Sequence, residues 1–157
     1  MAEQRTLDET LADLQQSQQV FLAILEQVDD AALYRRPIEQ EWSVAENLVH
    51  ISEARQFFAA EASKALTTPG ARIGRTITDP DRIQTVFEHG HDPRASILQN
   101  LMASFEQVMQ TLKLLRADDL DQEVQHVKYG PQTLAAFLQH FIIEHDQTHA
   151  SQVTALL

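Results

Sequence analysis

Four long stretches of this chain repeat apolar residues at alternating steps of three and four, and that spacing limits what it can fold into. The first, from about Thr6 to Asp29, carries Leu7, Leu11, Leu14, Phe21, Leu25 and Val28, with Gln18 the one polar residue in the series. The second opens where Ser43 is followed by Glu46, the signature of a capping box. It continues through Val44, Leu48, Ile51 and Phe58 to about Leu66. The third follows Asp92-Pro93, a capping acceptor before a proline, and lines up Leu98, Leu101, Phe105, Val108, Leu112 and Leu115. The fourth runs from about Thr133 to Leu156. Each stretch makes an amphipathic helix that must bury its stripe against another. The economical solution is an all-α four-helix bundle, forming one domain over residues 1–157. Two long connections separate the helices. One, Thr67 to His91, contains Pro69, Gly70, Gly74, Pro80 and Gly90, and is expected to hold no helix. The other covers Asp118 to Gln132, where Glu123 to Tyr129 is the one candidate extended piece. Loop length leaves the order of the helices open.

Charge and composition narrow the function. The 157 residues include 12 Lys and Arg against 23 Asp and Glu, a formal net charge of −11. Such a field repels phosphate backbones and anionic lipid, so neither nucleic acid nor a membrane is an expected partner. Cysteine is absent, which excludes disulfides, thiolate ligands and a cysteine nucleophile. The opening MAEQRTLDETLADLQQSQQ lacks the apolar core of a signal peptide, and no run reaches about 18 apolar residues, so a cytoplasmic location is expected.

The chemistry concentrates in the fourth helix. Its stripe reads Leu134, Leu138, Ile142, then His145, His149, Gln152 and Leu156, with two imidazoles where other helices place Leu or Phe. Four residues apart, they share one helical face about 5–6 Å apart at Cβ. Unpaired buried imidazoles cost about 1–3 kcal/mol each, so they need partners. A divalent ion chelated by both is one solution, and hydrogen bonds to neighbouring helices are another. His50, midway along the second helix, offers a third ligand, which would leave coordination positions open for water or substrate. Glu46, Asp146 and Glu144 are candidates to orient these rings. Asp146, Glu144 or His126 could move protons. His140, five residues before His145, is rotated off that face and suits a hydrogen bond, while His89, His91 and His126 fall in connections. Glycine-rich phosphate loops, nucleophile elbows and a zincin-type pair are all missing, and Asp146 at the zincin base position is a coincidence of spacing.

Two segments, EWSVAENLVHISEA around His50 and QHFIIEHDQTHASQV around His145 and His149, resemble the DinB-like metal-binding four-helix bundles. That superfamily includes bacillithiol transferases and mycothiol-dependent maleylpyruvate isomerase. The resemblance implies an up-down-down-up bundle, often homodimeric. It also implies a divalent ion, zinc or nickel, on the matching positions His50, His145 and His149. It implies further that the ion lowers the pKa of a low-molecular-weight thiol for transfer to an electrophile. Lacking cysteine, this chain would take its thiol from a small-molecule cosubstrate. Activation of water by the same ligands, and a non-catalytic bundle in which the metal only stabilises or senses, are the alternatives.

Overall fold

The computed structural model describes residues 5–157, and four long helical elements form its body. Helix α1 (Leu7–Gln27) starts at Thr6, whose side chain accepts from the Glu9 amide. After a short helix α2 (Asp30–Tyr34), helix α3 (Val44–Thr67) opens on a capping box in which Ser43 and Glu46 satisfy each other's backbone amides. Helix α5 (Arg94–Lys113) is the third long element. Asp92 does not cap it, because its carboxylate binds His89 Nδ1 at 2.8 Å instead. The last element is divided into α7 (Leu134–Leu138), a π-helical segment (Gln139–Glu144) and α8 (His145–Ala155).

Contacts between these helices define their directions. Gln18 meets Leu101, and Arg94 reaches the Leu25 carbonyl, so α1 and α5 are antiparallel. Leu48 and Ile51 share one apolar cluster with Ile97 and Leu101, while Ala62 and Ala65 share the other with Leu112 and Leu115, so α3 and α5 are parallel. His50 meets His145 and Phe58 meets Phe137, which makes α8 antiparallel to α3. The order is up-down-down-up. A parallel pair α3 and α5 requires the chain to return along the bundle, a distance of about 30 Å for 20 helical residues. The segment between them provides it.

That segment corrects the sequence expectation. It contains β1 (Arg72–Ile73) and a ten-residue helix, α4 (Pro80–His89), whose Asp79 side chain caps the Asp81 and Arg82 amides. Asp79-Pro80 is the same opening signal as Asp92-Pro93, outweighed in the sequence by the surrounding Gly and Pro. The second connection contains α6 (Ala117–Leu120) and a hairpin, β2 (Glu123–His126) and β3 (Gly130–Thr133). A small sheet of order β1-β2-β3 therefore joins the two connections, parallel between β1 and β2 and antiparallel between β2 and β3. The mostly helical fold thus carries one sheet beyond the single extended piece expected.

The core divides into two apolar clusters, one around Leu14, Phe58, Val108 and Phe137, the other around Phe21, Leu48, Leu101 and Val153. Between them lies a polar layer with one member from each long element: Gln18, Arg55, Ser104 and Asp146. Arg55 binds Asp146 Oδ2 through Nε at 3.0 Å and Nη2 at 2.8 Å, and Gln18 Oε1 through Nη1 at 2.8 Å. The polar exception in the first stripe is thereby explained. Leu98, expected in the core of α5, is instead partly exposed, and Ile97 and Ser104 face inward.

Candidate metal centre

His50 and His145 face each other across the α3–α8 interface with their Nε2 atoms 3.0 Å apart. His149 completes a group in which one ligand atom from each of the three rings lies within 4.8 Å of the others. Two tetrahedral nitrogen ligands at 2.0–2.1 Å from a zinc ion would stand roughly 3.3 Å apart, so small ring rotations fit this triad to one ion.

The surrounding residues orient the rings. Asn47 Oδ1 lies 3.0 Å from His149 Nδ1 and so holds the tautomer with a free Nε2. Glu53 Oε2 is 3.6 Å from His50 Nδ1, too long for a hydrogen bond, and leaves that nitrogen unpaired in a buried position. Trp42 packs on the His50 ring at 5.0 Å between centroids. Burial lowers the pKa of all three histidines. The His149 value falls to about 3, and His145 is depressed further by the neighbouring imidazoles. The rings are therefore neutral near pH 7, as metal ligands must be. Burial would raise the Glu53 carboxyl, but His50 and a two-pronged ion pair with Arg75 hold it at about 2.

The residues proposed from sequence to orient the histidines serve elsewhere. Glu46 closes its capping box and binds Arg36, with Arg36 Nε 2.8 Å from Oε1. Asp146 faces the polar layer and Arg55, where burial raises its pKa against the pull of that guanidinium. Glu144 is exposed beside His140, which makes the hydrogen bond its rotation suggested. Gln152 is exposed and does not continue the buried stripe of the fourth helix; Ala150 and Val153 do, and Leu156 packs half-buried on the second cluster. The π turn accounts for this, since its extra residue shifts the register of everything after Glu144.

Sequence reasoning missed Glu53, although it stands three residues after His50 on the same helix, a spacing at which side chains meet. It also missed Arg75 and Arg82, because the connection carrying them was expected to be irregular. His126 is buried rather than solvated. Its Nδ1 accepts from the Lys128 and Tyr129 amides at 3.0 and 3.1 Å, folding the hairpin turn, and its ring stacks on Phe141 at 4.8 Å. Tyr129 and Lys128 are thereby brought to a cleft of about 180 Å³ over His50 and His145.

This is a helical bundle whose two antiparallel helices present three neutral imidazoles to one point. The chain belongs to the DinB superfamily, whose sequence pattern matches residues 13–153. No curated protein matches it. Among solved structures, YfiT from Bacillus subtilis, described as a probable metal-dependent hydrolase with an unusual four-helix bundle topology, is 14% identical over 99% of this chain and 88% of its own, with a TM-score of 0.82. Mycothiol-dependent maleylpyruvate isomerase is 13% identical over 95% of this chain, with a TM-score of 0.78. The chain spans only 61% of the isomerase. The colibactin self-resistance protein ClbS, solved in complex with double-stranded DNA, is 10% identical over 96% of this chain and 94% of its own, with a TM-score of 0.71. At these identities the likeness is one of fold.

Proposed function

We propose that this chain is a metal-dependent enzyme that binds one divalent ion, zinc or nickel, through His50, His145 and His149. The ion would act as a Lewis acid, lowering the pKa of a small thiol or of water. The single observation that carries this reading is the convergence of three neutral imidazoles from two helices, His50 and His149 buried and His145 half-buried. Asn47 holds the His149 ring in place. Phe58, Phe141 and Tyr129 wall the cleft above them and reduce access of bulk water. With no cysteine of its own, the protein would receive its thiol as a cosubstrate.

The test begins with metal analysis of protein purified without a histidine tag, where about one ion per chain is expected. Turnover of a thiol with an electrophile in the presence of added Zn²⁺ or Ni²⁺, absent in His145→Ala, would support thiol transfer. Ester hydrolysis without thiol would favour water activation, and bound metal with neither turnover would favour a binding module. The reading of residues 1–157 as one domain, and the homodimer the resemblance implies, are proposed alongside. Light scattering would test the dimer, for which exposed Ile83 and Phe87 on α4 are available.

A further inference from the structure

The cleft over the histidines is lined by three cations, Arg75, Arg82 and Lys128, in a chain of net charge −11. They are not equivalent. Arg75 is committed to Glu53, with Nη2 2.7 Å from Oε2, and lies over the Phe57 ring at 4.3 Å. Lys128 sits at the exposed rim, 5.3 Å from the Tyr129 ring centre. Arg82, half-buried on α4, lies over the Trp42 ring at 5.2 Å, and its Nη1 donates to the Ile77 carbonyl at 3.3 Å. A guanidinium has five N–H donors. Among the described residues, Arg82 has no other hydrogen-bond acceptor and no ion-pair partner.

Its position is as distinctive as its lack of a partner. Arg82 borders the cleft lined by His50 and His145 and also the opening on the other side lined by Trp42, Asn47 and His149. Three neutral imidazoles bring no negative charge to a divalent cation, and the nearby Glu53 is already matched by Arg75. With an ion bound, the cleft would hold uncompensated positive charge away from bulk water, an arrangement that favours entry of an anion.

We propose that Arg82 selects the substrate by binding the carboxylate of a small molecule whose reacting atom then lies over the histidine cluster. The proposal rests on the reading of that cluster as a metal centre. A carboxylate fits better than a phosphate. The planar guanidinium can pair with two oxygens of either group, so the choice rests on the helix start. The amides at the start of α4, which would suit a phosphate, are taken by Asp79 Oδ1, at 2.9 Å from the Asp81 nitrogen and 3.2 Å from that of Arg82.

Trp42 is the only tryptophan and touches both Arg82 and His50, so its emission reports on this subsite. Zinc-loaded and zinc-free protein would be titrated with acetate and with its neutral isostere acetamide at constant ionic strength, with zinc content measured in parallel. Acetate is expected to change the emission saturably in both forms, and acetamide to leave it unchanged. Arg82→Gln should weaken acetate binding roughly tenfold or more while retaining the same zinc content. Arg82→Lys, which keeps the charge but loses the fork, should fall between. Equal responses to acetate and acetamide in the unmodified protein would overturn the proposal without reference to any variant. So would an Arg82→Gln titration that matches the unmodified protein. Failure of the unmodified protein to hold zinc would instead overturn the metal centre, and the zinc-free titration would still decide the role of Arg82.

Discussion

At the scale of single residues, the candidate centre depends on imidazoles held neutral and aimed. Asn47 aims His149, and its removal in Asn47→Ala is expected to weaken zinc binding about 10–100-fold, measured by competition with a chelator. His145→Ala removes a ligand outright and should lose more. The same burial makes folding of the metal-free protein sensitive to pH. In the folded chain the three histidines titrate below their ordinary value of 6.5, with His149 at about 3, because burial disfavours the charged ring. Below about pH 6.5 the unfolded chain takes up protons that the folded chain refuses. Stability is therefore fully present above that pH and declines as pH falls below it, for His149 down to about 3, by up to about 1.4 kcal/mol per pH unit for each ring that the fold still keeps neutral. Urea denaturation at pH 7.5 and pH 5 would show it as a lower midpoint at pH 5. Gly74 is a second sensitive position. Its φ is +84°, and a Cβ there would collide with the His126 ring, so Gly74→Ala should destabilise by about 1–3 kcal/mol and disturb the turn carrying Lys128 and Tyr129.

At the scale of elements, the polar layer sets how the long helices sit against one another. Arg55 is fully buried and reaches α1, α5 and α8 at once. Removing one partner of a buried pair strands the other's charge, so Asp146→Ala is expected to cost about 3–5 kcal/mol. The joint replacement Arg55→Met with Asp146→Leu should cost less than either single change, read from thermal or urea unfolding. The π segment does comparable work for the site. By inserting a residue's worth of rotation before His145, it lets Asp146 face the core while His145 and His149 still reach His50. Helix α4 supplies what the long helices lack, a cation beside the histidines.

At the scale of the molecule, the parallel pairing of α3 and α5 is the decisive feature. It forces a long return segment, and that segment, paired with the second connection through β1 and β2, becomes the wall of the cleft. Net charge acts at the same scale. A bundle of similar fold, ClbS, was solved with duplex DNA, so the fold alone does not decide nucleic-acid binding. At −11, this chain is expected to give no gel shift with duplex DNA at about 150 mM salt, because no counterion release offsets the repulsion. Among the described residues, no helix is long and apolar enough to cross a membrane.

The long helices and the pair His145 and His149 were legible because periodicity and spacing are local properties. Leu7 to Val28, Ser43 with Glu46, and His145 with His149 each announce themselves within a few turns of one helix. Gln18 could be seen as an exception but not explained, since its partner Arg55 belongs to another helix. Helix α4 was hidden by flanking Gly and Pro, and the π turn by a sequence equally compatible with an unbroken helix. Asp146 and Glu46 were misplaced for one reason: proximity along the chain does not say which way a side chain points once neighbouring helices compete for it.

By itself, then, the order of residues determined an acidic helical bundle with imidazoles turned toward its interior, because burying apolar stripes admits few other solutions. Only the tertiary structure decided that Glu53, Asn47 and Arg82 surround those imidazoles. Their positions follow from the crossing of distant segments, a balance of packing and ion pairing that no local pattern encodes.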